Sequence, residues 1–255
     1  MEYYRTGGYH PVTIGDHFHN RYRVVHKLGH GTYSTILLAR DDRSNKYIAV
    51  KVCTADWNPL EIDRLSKLSK SLSYQTGEEP CFLQSLEVAR VIATQLMIAV
   101  QNIHSQGFVH VDLHRGRNHL QLPHEFDQLS AEKLHELYGK RVLEPVNPLD
   151  SQKLPPGVPQ HGILPIWLGE ASENVTLPEA TVLFSDFGET LSPPQEDKFE
   201  FHTPLLIWPP EARFEPTKPL IFFIRYLTLA CTIWDIIAHE SLFKGSLTKE
   251  DDMIY

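Results

Sequence analysis

A short segment in the middle of the chain brings acidic, imidazole and guanidinium side chains close together. Residues 108–123 read FVHVDLHRGRNHLQLP, in which a short apolar strand leads to Asp112 and a loop rich in His and Arg follows. A helix is predicted before this segment, over 85–105, with Ser85 as its N-cap and Gly107 closing it. A carboxylate held at the end of such a loop can orient a substrate hydroxyl and accept its proton. The alternative is a polar loop that only connects two elements.

A glycine-rich turn lies near the amino terminus. Gly29 and Gly31 follow an apolar run at 22–25 and precede another at 35–39, a pattern that predicts a hairpin. Glycine at such a turn lets backbone N–H groups approach phosphate oxygens that a Cβ would hold off. Ser34 stands where a third glycine would complete a G-x-G-x-x-G pattern. By itself the pattern also fits an ordinary hairpin turn.

A lysine lies within the next predicted strand, and a carboxylate follows on a predicted helix. The strand reads KYIAVKVC, and its Lys51 either reaches to solvent or serves a bound ligand. Apolar residues recur at close to helical spacing over 60–72, which predicts a helix. Glu61 is the best partner for Lys51, with Asp63 second, unless these acids only form a solvated surface.

A further aspartate follows a predicted strand late in the chain. The stretch TVLFSDFGET gives a strand that runs into Asp186, Phe187 and Gly188. An aspartate just past a strand end, with an apolar anchor and a glycine hinge behind it, suits a Mg²⁺ ligand on a movable loop. The alternative is an aspartate that only stabilises a turn. The segment 191–210 then leads into PPEARF, which contains Glu211.

The elements that must position these residues belong to a chain of ordinary globular composition. It has 255 residues, of which 42% are hydrophobic and 22% charged, and its three cysteines are too scattered for a disulfide framework or a zinc site. The formal net charge of −8 argues against a nucleic-acid partner. An apolar stretch at 219–238 carries Arg225 and Asp235 in its interior, so it predicts a buried helix and no membrane partner.

Several of these features occur in a characteristic order: Gly-rich hairpin, strand lysine, helix glutamate, loop aspartate, D-F-G and P-P-E. With this series the chain resembles eukaryotic-type protein kinases. More narrowly, it resembles the fungal branch of the SR-protein kinases, which phosphorylate Arg–Ser-rich splicing factors. The residues that carry this resemblance are YRTGGYHPVTIGDHFHNRYRVVHKLGHGTYSTILLARD near the start, LPPGVP and LPIWLG before D-F-G, and HTPLLIWPPEARFEP with LACTIWDI near the end.

The resemblance implies an α+β, two-lobed protein-kinase-like fold. A small β-rich lobe is expected over 1–80, and a partial, mostly helical lobe over 81–255 with an insert at about 124–180. The stretch between Glu61 and Asp112 is too short for the strands, hinge and helix that a kinase has there. The hinge strands and the last helices of the second lobe are therefore expected to be missing.

The resemblance also implies ATP as phosphoryl donor. Lys51 would bind its α- and β-phosphates and pair with Glu61, while Asp112 would accept the proton of the substrate hydroxyl. These are the implied catalytic residues. The implied ATP-binding residues are Leu28, Gly29, His30, Gly31, Thr32, Tyr33, Ser34, Ile36, Ala49 and Lys51.

Mg²⁺ is the second implied cofactor, with Asp186 as its ligand. Arg117 stands at the place where the family has a second metal-binding asparagine, and Asn118 comes one position late. The residues implied in the activation segment are Phe187, Gly188 and Glu211.

The function implied is transfer of the γ-phosphoryl group of ATP to serine in Arg–Ser-rich proteins, in the cytoplasm and nucleus. An alternative is a pseudokinase that acts as a protein-binding module, because the resemblance lacks a hinge and a regular second metal ligand. A further alternative is an imperfect reading of a gene whose full product is an active kinase. The H-x-D-L-H pattern around Asp112 also fits a small-molecule phosphotransferase. The sequence leaves the oligomeric state open.

Overall fold

The chain divides into two compact units, and each is described here by itself. The computed structural model describes residues 8–31, 33–57, 62, 64, 66, 85–113, 118–147, 154, 158–169, 174–192, 224–238 and 242. The first unit takes its described residues from Met1–Asn58 and Leu122–Leu168. The second takes them from Pro59–Ser73, Gly77–Gln121 and Gly169–Tyr255.

The described elements alternate between short strands and a few helices. In chain order they are β1 (His17–Phe18), β2 (Tyr22–Gly31), β3 (Ser34–Asp41), β4 (Lys46–Cys53), α1 (Leu86–Ser105), β5 (Asn118–Leu120), α2 (Ala131–Tyr138), β6 (Leu143–Pro145), β7 (His161–Ile163), β8 (Val182–Phe184) and α3 (Ile224–Ile237), with 3₁₀ turns at His124–Gln128, Leu177–Glu179 and Phe187–Glu189.

The first unit is built on an antiparallel sheet in the order β1-β2-β3-β4. Apolar and β-branched residues dominate β3 and β4, as is usual for strands with a buried face. Gly31 pairs with Ser34, so two residues make the turn between β2 and β3. The hairpin predicted around Gly29 and Gly31 is present, and β4 is the strand predicted to carry Lys51.

The described residues of 122–168 pack on this sheet and not in the second unit. Their buried apolar side chains share one cluster with the sheet; its buried members are Val25, Leu28, Leu38, Tyr47, Phe126, Leu134, Ile166 and Leu168. The sequence predicts an insert at about 124–180 within the second lobe. The described residues of this insert up to Leu168 belong to the first unit instead, because their apolar side chains are buried against β2, β3 and β4.

The second unit is organised around α1, whose ends are both capped. The Ser85 hydroxyl accepts a hydrogen bond from the Val88 N–H at 3.4 Å, as the N-cap prediction requires. At the other end Gly107 has φ +80°, and the N–H groups of Gly107 and Phe108 donate to the carbonyls of His104 and Ile103 at 2.9 and 3.2 Å. This is a Schellman motif, so the left-handed glycine is required by the chain reversal.

One face of α1 forms the core of the second unit. It packs with residues of the antiparallel pair β5–β8 and of α3; the buried apolar members are Val88, Ala89, Ile92, Leu96, Val100, Ile103, Leu113, Val175, Ala180, Phe184, Phe187 and Ile236. Judged by length and composition alone, α1 could cross a membrane, a test that core helices of soluble proteins also pass. The helix predicted at 219–238 is present as α3, in which Cys231 and Ile236 are buried.

Candidate active site

The candidate ATP-binding residues of the first unit lie on adjacent strands. Gly29 is opposite Ile36 in the β2–β3 pair, and Ile36 is opposite Lys51 in the β3–β4 pair. Because directly opposed residues project from the same face of a sheet, Ile36 and Lys51 share a face. Ala49, two residues before Lys51, is on that face as well. The sheet therefore presents the strand lysine beside apolar residues.

The glycines of the hairpin are not required by the chain's own packing. Neither Gly29 nor Gly31 has a positive φ, and a Cβ built on either would meet no atom within 4 Å. The space beside them is open to a ligand that approaches the backbone closely, which is what a phosphate needs. The Tyr9 hydroxyl donates to the Gly31 carbonyl, so the amino-terminal arm reaches this hairpin.

Asp112 lies in the second unit on a loop held by backbone hydrogen bonds. Only 5% of its surface is exposed. Before it, Val109 exchanges two hydrogen bonds with Leu191, with N···O distances of 2.8 and 2.9 Å. After it, Leu113 is buried in the core of the second unit, and its carbonyl lies 3.4 Å from the Thr232 hydroxyl of α3, whose proton goes mainly to the Thr228 carbonyl at 2.8 Å. The loop is therefore fixed on both sides of the carboxylate.

His110 joins the Asp112 loop to the loop that carries Asp186. Its Nε2 donates to the Ser185 carbonyl at 3.0 Å, since a carbonyl can only accept. The ring also packs edge-on against Phe184 and Phe187, with centroid distances of 4.6 and 5.3 Å. Sequence reasoning missed this role; the only signal was the position of His110 two residues before Asp112.

Asp186 has a backbone conformation that aspartate tolerates better than most residues. Its φ and ψ are 58° and 66°, in the left-handed region, at the point where β8 gives way to the 3₁₀ turn Phe187–Glu189. Phe187 is fully buried and anchors the turn. The carbonyl of Gly188 accepts a hydrogen bond from Arg64 Nη1 at 3.1 Å. Arg64 was also missed from sequence, since only folding brings it to this loop.

The two carboxylates therefore stand on loops that are tied to each other. In β5, Asn118 is paired with Phe184, two residues before Asp186. Asp112 and Asp186 supply hard oxygen donors, the kind that Mg²⁺ prefers, so their chemistry fits this metal. The open space beside Gly29 and Gly31 fits phosphate oxygens. Within the described chain, groups of three or more His, Cys, Asp or Glu suited to a metal ion are absent.

The structure describes most of the predicted site residues, in two groups. The first unit holds Leu28, Gly29, His30, Gly31, Tyr33, Ser34, Ile36, Ala49 and Lys51, and the second holds Asp112, Asp186, Phe187 and Gly188. Thr32, Glu61, Arg117 and Glu211 lie outside the described residues, as does most of the stretch in which the hinge strands are expected to be missing. The roles of all these residues stay predictions.

Known proteins similar to this chain are serine/threonine kinases. A segment of 49 residues, 19% of the chain, is 51% identical to serine/threonine-protein kinase spk-1 of Caenorhabditis elegans and covers 5% of that protein. A segment of the same length is 53% identical to human SRSF protein kinase 3 and covers 9% of it. Over 72 residues, 27% of the chain, the identity to protein kinase dsk1 of Schizosaccharomyces pombe is 43%, covering 13% of that kinase. No family model matches the chain.

The similarity in structure extends much further than the similarity in sequence. The crystal structure of the kinase domain of PF14_0431 matches 92% of this chain with a TM-score of 0.61, at 14% sequence identity. The chain spans 69% of that domain and, in the matched segments, a small part of each curated relative. The predicted kinase-like α+β fold is confirmed, whereas the fungal branch stays a prediction. The chain has a protein-kinase fold, and over a short segment its sequence is similar to that of the SR-protein kinases.

Proposed function

We propose that this chain is an ATP-dependent serine/threonine protein kinase that acts on Arg–Ser-rich proteins. The observation that carries the proposal is the tie between the two candidate carboxylates. Through His110, Ser185, Val109 and Leu191, the loop of Asp112 is fixed to the loop of Asp186. In phosphoryl transfer the protein mainly positions charged groups, so a fixed pair of carboxylate loops is what that chemistry needs.

Each residue has a distinct task in this proposal. The backbone of Gly29 and Gly31 and the ammonium of Lys51 bind phosphate oxygens. Asp186 holds Mg²⁺, which neutralises charge on the phosphates when bound. Asp112 orients the serine hydroxyl and takes its proton as the oxygen attacks. The serine comes from an Arg–Ser-rich protein because the similar proteins include SRSF protein kinase 3 and because a chain with net charge −8 attracts basic peptides.

The test is Asp112→Asn, which keeps size and polarity but removes the proton acceptor. Transfer of the γ-phosphoryl from ATP to an Arg–Ser repeat peptide is expected to fall by about 10² to 10⁴, the usual contribution of a general base. The melting temperature should change little. Equal phosphate incorporation by the variant and the parent would remove Asp112 from the mechanism. Transfer by neither protein would favour the second candidate below.

The second candidate is a protein-binding module with the kinase fold and no phosphoryl transfer. It is favoured by one observation: the apolar residues Leu28, Ile36 and Ala49, implied in ATP binding, already pack within the first unit. Mg·ATP should then produce no rise in melting temperature, while an Arg–Ser repeat peptide should still bind. A rise with Mg·ATP would argue against this candidate.

A further inference from the structure

Leu28, Ile36 and Ala49 are the apolar members of the proposed nucleotide site. Phosphate groups and Mg²⁺ offer no apolar surface, so within ATP it is the adenine base that such side chains contact. Ile36 is opposite Lys51, and Ala49 is opposite Leu38. The adenine-contacting face of the sheet is therefore the face that carries Lys51 and Leu38.

The described residues of 122–168 cover this same face. Leu28 is only 7% exposed and belongs to the cluster that unites the sheet with this segment. Ile36 and Ala49 pack against that cluster. The side chains that the segment contributes to its buried part are Phe126, Leu134, Ile166 and Leu168.

Hydrogen bonds, in addition to apolar packing, hold the segment on the sheet. Asp127 makes two of them: its Oδ1 accepts from the Tyr47 N–H of β4 at 2.8 Å, and its carbonyl accepts from Arg40 Nη1 at 2.7 Å. The Ile166 N–H donates to the Lys27 carbonyl, beside Leu28, at 2.8 Å. The segment is thus attached at two separate edges of the cluster.

We propose that the described residues of the segment 122–168, namely 122–147, 154 and 158–168, form an intramolecular cover over the adenine-contacting face, so that ATP gains its adenine contacts only when the cover moves. The inference rests on the proposed ATP binding. A closed cover lowers the apparent affinity for ATP by the fraction of molecules in which it is open. Ligands that use only the glycine hairpin and Lys51 do not compete with the cover, because Gly31 and Lys51 are exposed while the cover is in place.

The experiment compares two ligands across four proteins. Mg·ATP carries the base and Mg·tripolyphosphate does not, and the dissociation constant of each is measured by calorimetry. Phe126→Ala removes a buried ring of the cover, and Asp127→Ala removes only the carboxylate that accepts from Tyr47. Leu137→Ala is the matched control, because Leu137 lies on the cover helix α2 but is 58% exposed. Limited proteolysis within 122–168 reports independently how far the cover has loosened.

In the parent and Leu137→Ala, Mg·ATP should bind little more tightly than Mg·tripolyphosphate. Phe126→Ala and Asp127→Ala should bind Mg·ATP about tenfold more tightly than the parent, with tripolyphosphate unchanged. An equal affinity for Mg·ATP in all four proteins, together with faster proteolysis of the cover, would overturn the inference and leave the proposed function standing. If no protein binds either ligand, the proposed function falls and the inference with it.

Discussion

At the scale of single residues, one imidazole adds a side-chain contact to the backbone bonds between the two carboxylate loops. His110 is 5% exposed, donates to the Ser185 carbonyl and touches both Phe184 and Phe187. The hydrogen bond fixes the distance between the loops, while the ring fills space between two aromatic side chains. A variant can separate these two contributions.

His110→Phe keeps the packing and loses the hydrogen bond. Losing the hydrogen bond from His110 to the half-buried Ser185 carbonyl should cost about 0.5–1.5 kcal/mol in the free energy of unfolding, measured with urea. Phosphate transfer should fall by more than the lost stability explains, because Asp186 is no longer held beside the Asp112 loop. His110→Ala, which loses both contributions, is the comparison. Equal stability of the parent and the Phe variant would show that the hydrogen bond does not bear on folding.

Two glycines make a matched pair because one serves a ligand and the other serves the fold. A Cβ on Gly31 meets open space and needs no unusual φ, so Gly31→Ala should leave the unfolding free energy nearly unchanged. The same change should weaken Mg·ATP binding, as the methyl group holds phosphate away from the backbone. At Gly107, with φ +80°, alanine should cost about 1–2 kcal/mol of stability without a direct effect on nucleotide. If Gly31→Ala destabilised the fold without weakening Mg·ATP binding, and Gly107→Ala did the opposite, the proposed role of the hairpin would be contradicted.

At the scale of elements, α2 packs on β2 beside two imidazoles, one buried and one half-buried. His26 on β2 and His135 on α2 have ring centroids 5.7 Å apart, and the Nε2 atoms of both are buried with no hydrogen-bond partner in the described part of the chain. Desolvation lowers the pKa of each histidine, and the positive charge of Arg141 lowers both further. Two smaller effects raise these pKa values: the negative charge of Glu132 acts on the pKa of His135, and the backbone hydrogen bond with Lys27 acts on the pKa of His26.

The stability of the first unit should therefore fall with acidification. In the folded state both imidazoles stay neutral below the unfolded pKa of about 6.5, so the unfolded state binds more protons there. The stabilisation is complete above that pKa and is lost as the pH falls towards the lowered folded values. Urea unfolding between about pH 8 and 5 tests this, with His135→Gln as the comparison. A variant with the same pH dependence as the parent would exclude His135 from the effect.

Local patterns were enough to predict the elements that carry the candidate residues. The hairpin around Gly29 and Gly31, the strand of Lys51 and the capped helix α1 all depend on residues close in sequence. The docking of 122–168 on the sheet could not be predicted in this way. It depends on contacts such as Arg40 to Asp127 and Tyr47 to Leu129, which join residues more than 80 positions apart. The tie between His110 and Ser185 has the same long-range character.

At the scale of the whole molecule, ligand binding should increase the free energy of unfolding. A ligand that binds the folded state alone stabilises it by RT ln(1 + [L]/Kd), about 2.7 kcal/mol at 100 times Kd. In the proposed function, the hairpin and Lys51 contact the phosphates and Asp186 holds Mg²⁺. A rise in the melting temperature therefore reports whether the folded chain binds Mg·ATP.

Mg·ATP should raise the melting temperature of the parent protein, and Lys51→Met should abolish most of the rise. Methionine replaces the ammonium by an apolar group of similar length, so the phosphates lose their counter-charge while the strand is preserved. Asp186→Asn tests the metal separately. In this variant the rise in melting temperature with Mg·ATP should shrink, whereas any rise with ATP and EDTA should change much less. If the parent shows no rise at millimolar Mg·ATP while Phe126→Ala does, the covered face is the reason and the kinase proposal survives. If neither protein responds, the kinase proposal falls. Binding of an Arg–Ser repeat peptide by the same protein would then support a protein-binding role for the kinase fold.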